Sequence, residues 1–257
     1  MKNTSIFALG LFLLVAVSCS KEEERNVDQQ LLKSSSEIDV TNELDFNAGI
    51  DITTTNSSYS ARPSENTISN DCLTITVDNP GLGVFPKTFV LDYGTGCTFN
   101  GITRSGTLTI TLTDYLMNTG SVMTVERGDD YYINGRKLEG TITYTNTTSN
   151  PTTPQWERTI VNGGIITLNG NYYNFSGERV VTMTEGVGTT TLADNVYEIS
   201  AGTHTISNLA NGATINLTIV EPLIKKYACM NISQGKLALQ GAVLDGILDY
   251  GDNTCDN

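Results

Sequence analysis

The sequence predicts an all-β, antiparallel and hairpin-rich domain, built as a sandwich or as one long twisted sheet. Three observations predict it: runs in which polar and apolar side chains alternate, Asn-Gly pairs between such runs, and no convincing 3.6-residue period longer than two turns. An alternating run has one apolar face, so such runs must pair side by side to bury it.

The alternation is strictest in residues 107–113, which read Thr-Leu-Thr-Ile-Thr-Leu-Thr. Residues 138–145 and 214–219 repeat the pattern with Leu, Ile or Tyr at every second position. The β-branched residues in these runs favour a pleated, half-buried surface. Each run is therefore interpreted as a strand with one face in the core.

Turns between the strands are marked by Asn-Gly pairs at 134–135, 162–163, 169–170 and 211–212. Both residue types tolerate a positive φ, which the tight turns between twisted antiparallel strands require. Each pair is therefore predicted to close a hairpin.

Two cysteine blocks echo each other. Cys72 opens a block that ends Leu-Asp-Tyr-Gly-Thr-Gly-Cys97, and Cys229 opens one that ends Leu-Asp-Tyr-Gly-Asp-Asn-Thr-Cys255. The repeated Leu-Asp-Tyr-Gly favours pairing within each block, Cys72 with Cys97 and Cys229 with Cys255, among the three connectivities that four cysteines allow. A free thiol or a metal-binding pair is the alternative. A weaker echo between residues 129–134 and 194–199, each ahead of a Thr-rich run, suggests two related β-halves.

The amino terminus has the layout of a secretory signal peptide over residues 1–18, with Lys2 ahead of the apolar run 6–17. This run is too short to span a bilayer as a helix. Its end, Ala-Val-Ser-Cys19, resembles the lipobox, in which the cysteine is acylated and becomes the first residue. The resemblance implies membrane attachment through Cys19; the alternative is an ordinary signal peptide with a chance cysteine.

Residues 19–67 are rich in Ser and Thr and are predicted to form a largely flexible, lipidated tether. Their few large apolar residues could add a strand at the edge of the sheet; these are Ile38, Val40, Leu44, Phe46 and Ile50. The β domain is expected to span residues 68–257.

Charge excludes one class of partner. The chain has 15 basic and 28 acidic residues, and removing residues 1–18 takes away one lysine, which leaves a formal charge of −14. Nucleic-acid binding requires clustered Lys and Arg, so no nucleic-acid partner is expected. Cations, basic proteins and neutral glycans stay open as partners.

No catalytic motif is recognised, so no enzymatic activity is expected. The single histidine, His204, lies in a Thr-rich run without a nucleophile motif beside it. The carboxylates available for a glycosidase pair have no separation that sequence can establish; they are Asp92, Glu139, Glu157, Glu178 and Asp249.

Side chains with oxygen ligands suited to calcium cluster at the carboxyl end; they are Asp245, Asp249, Asp252, Asn253 and Asp256. The spacing fits no EF-hand. We expect instead that Asp92 and Asp249 accept hydrogen bonds from nearby backbone amides in turns. No metal and no cofactor are predicted.

A ligand platform would use aromatic side chains. Adjacent tyrosines on a strand point to opposite faces, so one of each pair 131–132 and 172–173 is expected in the core and the other outside. Tyr132, Trp156 and Tyr173 are the candidate ligand contacts. Arg104, close to Cys97, is expected to pair with a carboxylate.

Taken together, the lipobox, the acidic stretch Lys-Glu-Glu-Glu at 21–24, the Asp-Tyr-Gly-x-x-Cys block and the Thr-Arg-Ser-Gly-Thr strand at 103–107 resemble a group of uncharacterised Bacteroidota surface lipoproteins. The resemblance implies an outer-membrane lipoprotein that faces the cell exterior, with a β fold and no assigned activity. We therefore expect a non-enzymatic binding or structural domain with an unknown protein or glycan ligand. The alternative is a glycan-capturing or carbohydrate-active surface protein.

Overall fold

The structure, a computed structural model, describes residues 16–55, 67–69, 72–79, 81, 83–189, 191–242 and 245–255. Within these residues one long helix precedes fifteen strands. The elements are α1 (Ala16–Thr55), β1 (Thr67–Ser69), β2 (Thr74–Val77), β3 (Lys87–Asp92), β4 (Cys97–Phe99), β5 (Ile102–Ser105), β6 (Thr107–Leu112), β7 (Val122–Arg127), β8 (Tyr132–Ile133), β9 (Arg136–Asn146), β10 (Gln155–Ile166), β11 (Tyr172–Glu185), β12 (Val196–Asn208), β13 (Thr214–Lys226), β14 (Gln234–Gln240) and β15 (Asp245–Asp252), with a short 3-10 turn at Leu192–Asp194.

All fifteen strands belong to one sheet, and every pairing in it is antiparallel. The main path runs β1-β2-β3-β6-β7-β9-β10-β11-β12-β13-β14-β15, and β4, β5 and β8 form a small extension joined to β9. The predicted all-β, antiparallel fold is confirmed, and the strands form a single large sheet.

The alternating runs take the faces that the sequence predicts. In β6 the aliphatic positions Leu108, Ile110 and Leu112 are buried, and the threonines between them are partly exposed. The Asn134-Gly135 pair closes the β8–β9 hairpin with φ values of 48° and 79°. This turn needs positive φ at both positions, which explains the residue choice.

The Asn162-Gly163 pair is not a hairpin turn, so that prediction was wrong. It lies inside β10, where the register shifts between Ile160 and Gly163 against β11 and Asn162 has a φ of 52°. A Cβ on Gly163 would lie 2.5 Å from the ring of Phe175, so the close approach requires glycine. The tolerance of Asn and Gly for unusual backbone angles, which elsewhere suits a tight turn, at this position allows a β-bulge inside a strand.

Within the region predicted as a flexible tether with a possible edge strand, residues 31–52 instead form the packed part of α1; residues 56–66 lie outside the described residues. The apolar side chains of the packed part at Leu31, Ile38, Phe46 and Ile50 are at most 3 % exposed and belong to the main core. The period was missed because polar residues share the buried face. Residues 1–15 of the predicted signal peptide lie outside the described residues.

The contacts of α1 with the sheet fix its direction. Glu37 bonds Arg136 at the start of β9, and Phe46 packs on Tyr144 near its end, with ring centroids 4.6 Å apart. The helix therefore runs in the same direction as β9, and its amino-terminal end points toward the β8–β9 turn. Asn26, Gln29 and Gln30, ahead of the buried Leu31, are exposed.

Both predicted disulfides are present. Cys72 pairs with Cys97, with Cα atoms 5.2 Å apart, and Cys229 pairs with Cys255, with Cα atoms 5.5 Å apart. The first precedes β2 and the second follows β15, so the two bonds lie near opposite ends of the strand order.

Candidate functional site

The most distinctive chemistry of the molecule is a row of buried ion pairs between α1 and the sheet. Three arginines on β7, β10 and β11 each contact a carboxylate of the helix; the pairs are Arg127–Asp45 at 2.8 Å, Arg158–Glu43 at 2.9 Å and Arg179–Asp39 at 2.9 Å. All six side chains are at most 5 % exposed. Because a lone charge is costly to bury, each partner depends on the other.

These buried arginines were not predicted, although the strand pattern of the sequence contains the information. Arg127, Arg158 and Arg179 each occupy the inward-facing phase of their strand, two residues from a buried apolar side chain. A cation in that phase predicts a buried anion opposite it. The partners are 82 to 140 residues away in sequence, so no local pattern identifies them.

Arg127 contacts two polar side chains of the helix. Its Nε and Nη2 donate to Asp45 and to the side-chain oxygen of Asn42, both at 2.8 Å. The hydroxyl of Tyr131 donates to the same Asp45 carboxylate at 2.6 Å. Burial, followed by the negative charge of Asp45, raises the pKa of Tyr131, which keeps this hydroxyl protonated as a donor.

His204 lies beside the third pair and is 2 % exposed. Arg179 Nη2 lies 3.3 Å from His204 Nδ1, and since a guanidinium can only donate, Nδ1 is the acceptor and Nε2 carries the proton. Burial, followed by the charge of Arg179, lowers the pKa of His204 to about 3. The ring is therefore neutral near pH 7, and its contact with Asp39 at 3.9 Å is not an ion pair.

Asp39 responds in the opposite sense. Burial is the largest single influence and raises the pKa of its carboxyl, but the nearby positive charges, Arg179 first and Arg158 less strongly, together with the hydrogen bond from Arg179, outweigh burial and leave the pKa below its usual value. The carboxylate is therefore charged at neutral pH and completes its bond to Arg179.

Two further cations use backbone oxygens. Arg104 donates to the carbonyl of Leu44 at 3.0 Å and lies over the ring of Tyr93 at 5.7 Å. Its expected hydrogen bond to a carboxylate is thus replaced by a carbonyl and an aromatic face. Lys225 donates to the carbonyls of Lys226 and Cys229, and burial lowers the pKa of its ammonium.

Two of the three predicted ligand contacts belong to the core, so those two predictions were wrong. Trp156 is fully buried and donates from Nε1 to the carbonyl of Leu116 at 3.3 Å, and Tyr173 is 2 % exposed. The alternation placed the members of each tyrosine pair on opposite faces, as expected, but it could not show which face α1 covers. Tyr132, 36 % exposed, stays a candidate contact.

The acidic residues near the cysteines act within turns, as predicted. A carboxylate oxygen of Asp92 accepts the amide of Gly94 at 2.8 Å, and Asp249 accepts that of Gly251 at 3.0 Å. The two echoed Leu-Asp-Tyr-Gly segments therefore share a turn contact. Of the calcium candidates, Asp256 lies outside the described residues, and in the described part of the chain no three His, Cys, Asp or Glu side chains form a group able to hold a metal ion.

An open cleft of about 280 Å³ lies where α1 comes to the surface. The helix contributes Glu37, Val40 and Leu44 to it, and the sheet contributes Ile133, Arg136 and Met230. Arg136 and Glu37 pair across one side at 2.8 Å, each about a fifth exposed. The cleft has an apolar floor and a paired, neutralised edge.

No helix within the described ranges is long and apolar enough to cross a membrane. Comparisons of this chain with family models, with curated proteins and with solved structures give no match.

Proposed function

We propose that the protein is an outer-membrane lipoprotein, acylated at Cys19, which displays a non-enzymatic binding or structural β domain toward the cell exterior. The observation that carries the proposal is the continuity of α1. The helix that contains Cys19 continues to Thr55, and from Leu31 onward it lies in the core of the sheet. The attachment point and the domain therefore share one element.

This continuity gives the anchor a defined reach. Leu31 follows Cys19 by twelve positions, and at 1.5 Å per position a helix of this length spans about 18 Å. Diacylglycerol and an N-acyl chain on Cys19 would attach the helix stably, since two hydrocarbon chains already suffice. The domain would be attached to the membrane by a helical segment of this length in place of a loose tether.

The non-enzymatic part of the proposal is supported by the use that the fold makes of its charges. Arg127, Arg158 and Arg179 are each matched by a helix carboxylate. His204, neutral and 2 % exposed, has little access to a substrate in solvent. These groups stabilise the helix in the sheet.

Membrane attachment through Cys19 is tested by Cys19→Ala in cells that process lipoproteins, with Ser20→Ala as the matched control. We expect the parent and the control to enter the detergent phase on phase partitioning and the alanine variant to stay in the aqueous phase. Mass spectrometry of the parent should find an acylated Cys19 at the amino terminus. An unacylated terminus on the parent contradicts the proposal.

Exposure and activity class need separate measurements. Protease added to whole cells should remove the domain; survival in whole cells together with loss in lysed cells contradicts the outward orientation.

A glycan array of bacterial and host polysaccharides distinguishes a structural domain from a glycan-capturing one. Binding to one polysaccharide class, abolished by Tyr132→Ala, would replace the structural assignment with glycan capture.

A further inference from the structure

Four turns lie along one rim of the sheet, and they define what we call the helix-exit rim: 100–101, 134–135, 167–171 and 209–213. Register places them together. Ile166 pairs with Lys137, which follows the β8–β9 turn, and Asn208 pairs with Tyr173, which follows the β10–β11 turn. The 100–101 turn joins the same rim because Asn134 and Thr103 exchange hydrogen bonds.

Three of these turns contain or adjoin a large apolar side chain in solvent; Phe99 is the last residue of β4, just ahead of the 100–101 turn. Phe99 is 73 % exposed, Leu168 is 64 % exposed and Leu209 is 59 % exposed. Leu168 lies against the β8–β9 turn, since a Cβ on Gly135 would be 3.1 Å from it, and the amide of Leu209 bonds the carbonyl of Tyr172 at 3.0 Å. Tyr132, next to Ser105 in β5, adds an amphipathic ring to the same rim.

The helix leaves the sheet at this rim. Along α1, Glu37 is level with Arg136, and Phe46 is level with Tyr144 at the other end of β9, so the helix runs toward the β8–β9 turn as it is followed back to its amino terminus. Leu31 is still buried, and the residues ahead of it continue beyond the packed segment on this side. Cys19 therefore lies on the same side of the sheet as the exposed apolar residues. If acylated, Cys19 directs this rim toward the bilayer.

We propose that the helix-exit rim is a membrane-contacting surface in which Phe99, Leu168 and Leu209 enter the interface of the lipid bilayer that holds Cys19. This inference depends on the proposed lipid anchor. Anchoring already supplies proximity, so a small gain from apolar insertion is enough to favour one orientation of the domain. The helical segment between Cys19 and Leu31 is about 18 Å long, and it must tilt at its acylated end to bring the rim to the bilayer.

The test uses the acylated full-length protein reconstituted in phosphatidylethanolamine–phosphatidylglycerol vesicles that contain lipids brominated on the acyl chains. Single tryptophans are introduced by Phe99→Trp, Leu168→Trp and Leu209→Trp. The control is Val220→Trp, at a strand position 50 % exposed and away from the rim. Trp156, buried in every variant, supplies a constant background.

We expect brominated lipid to quench the tryptophan fluorescence of the three rim variants. The fraction of fluorescence quenched in the control variant should be as small as in the parent. Three independent positions keep the test decisive if one variant misfolds. Co-flotation with vesicles and unchanged rim fluorescence would overturn the rim assignment while leaving the anchor intact. Failure of the parent to float would instead refute the proposed function.

Discussion

Replacing Glu43 with glutamine would test whether the buried ion pairs hold the helix in the sheet. The substitution preserves the shape and one oxygen of the side chain but removes the charge that faces Arg158 at 2.9 Å. Arg158 is 1 % exposed at its side chain, so the guanidinium cannot recover its hydration without moving the helix. It would remain as a buried cation without its counterion.

The expected cost is about 3 kcal/mol, the lower end of the range for breaking a buried pair by removing one partner. This is a large share of the roughly 5 to 15 kcal/mol by which domains are stable. With a urea dependence of about 3 kcal/mol per molar, the unfolding midpoint should fall by roughly 1 M. The assay is urea unfolding followed by far-ultraviolet circular dichroism.

Two comparisons separate charge burial from other effects. Glu221→Gln removes the partner of Lys236 in a pair that is 34 % and 57 % exposed, and it should cost less than about 1 kcal/mol. Glu43→Leu combined with Arg158→Met replaces the pair by apolar residues and should restore most of the lost stability. Equal midpoint shifts for Glu43→Gln and Glu221→Gln would refute the reasoning.

Three further predictions concern the helix, a disulfide and the histidine. The fragment 68–257 should show no cooperative unfolding transition because its inward-facing arginines lose their carboxylates, and peptide 29–55 added in trans should restore one; a fragment that unfolds cooperatively alone contradicts the role of α1. Replacing Cys72 and Cys97 together by serine should lower the free energy of unfolding by about 3.5 kcal/mol, the chain-entropy value for a 25-residue loop, measured by the same urea titration. In the folded protein the pKa of His204 lies below its ordinary value of 6.5, so below pH 6.5 the unfolded chain binds a proton that the folded chain does not. The stability present above pH 6.5 is therefore lost as the pH falls toward 3, and the loss should reach about 2 kcal/mol at pH 5. His204→Gln should flatten this loss between pH 7 and 5, and equal pH profiles for the two proteins would show that another group is responsible.

The strands and disulfides could be predicted because their determinants are local or repeated. Each residue of β6 reveals its face by its neighbours two positions away, and the cysteine pairing followed from two segments with the same Leu-Asp-Tyr-Gly sequence. Neither inference needs the position of any distant strand.

The helix could not be predicted in the same way. Its buried face includes Ser35, Asp39, Asn42 and Asp45, which an apolar period treats as solvent-facing. Asp39, Asn42 and Asp45 are tolerated inside because arginines from strands far along the chain donate hydrogen bonds to them. Because the helix was not predicted, the sequence did not show which face of the sheet it covers, and Tyr173 was expected on the exposed face.

The placement of the two disulfides has a mechanical consequence. An open sheet loses its outermost strands most easily, because each of these is hydrogen bonded on one side only. Cys72–Cys97 fixes the chain just ahead of β2, and Cys229–Cys255 fixes the chain just beyond β15. Peeling beyond the short strand β1 at one margin, or from β15 at the other, must therefore work against a covalent bond, which is a way for an unclosed sheet to withstand pulling and proteolysis.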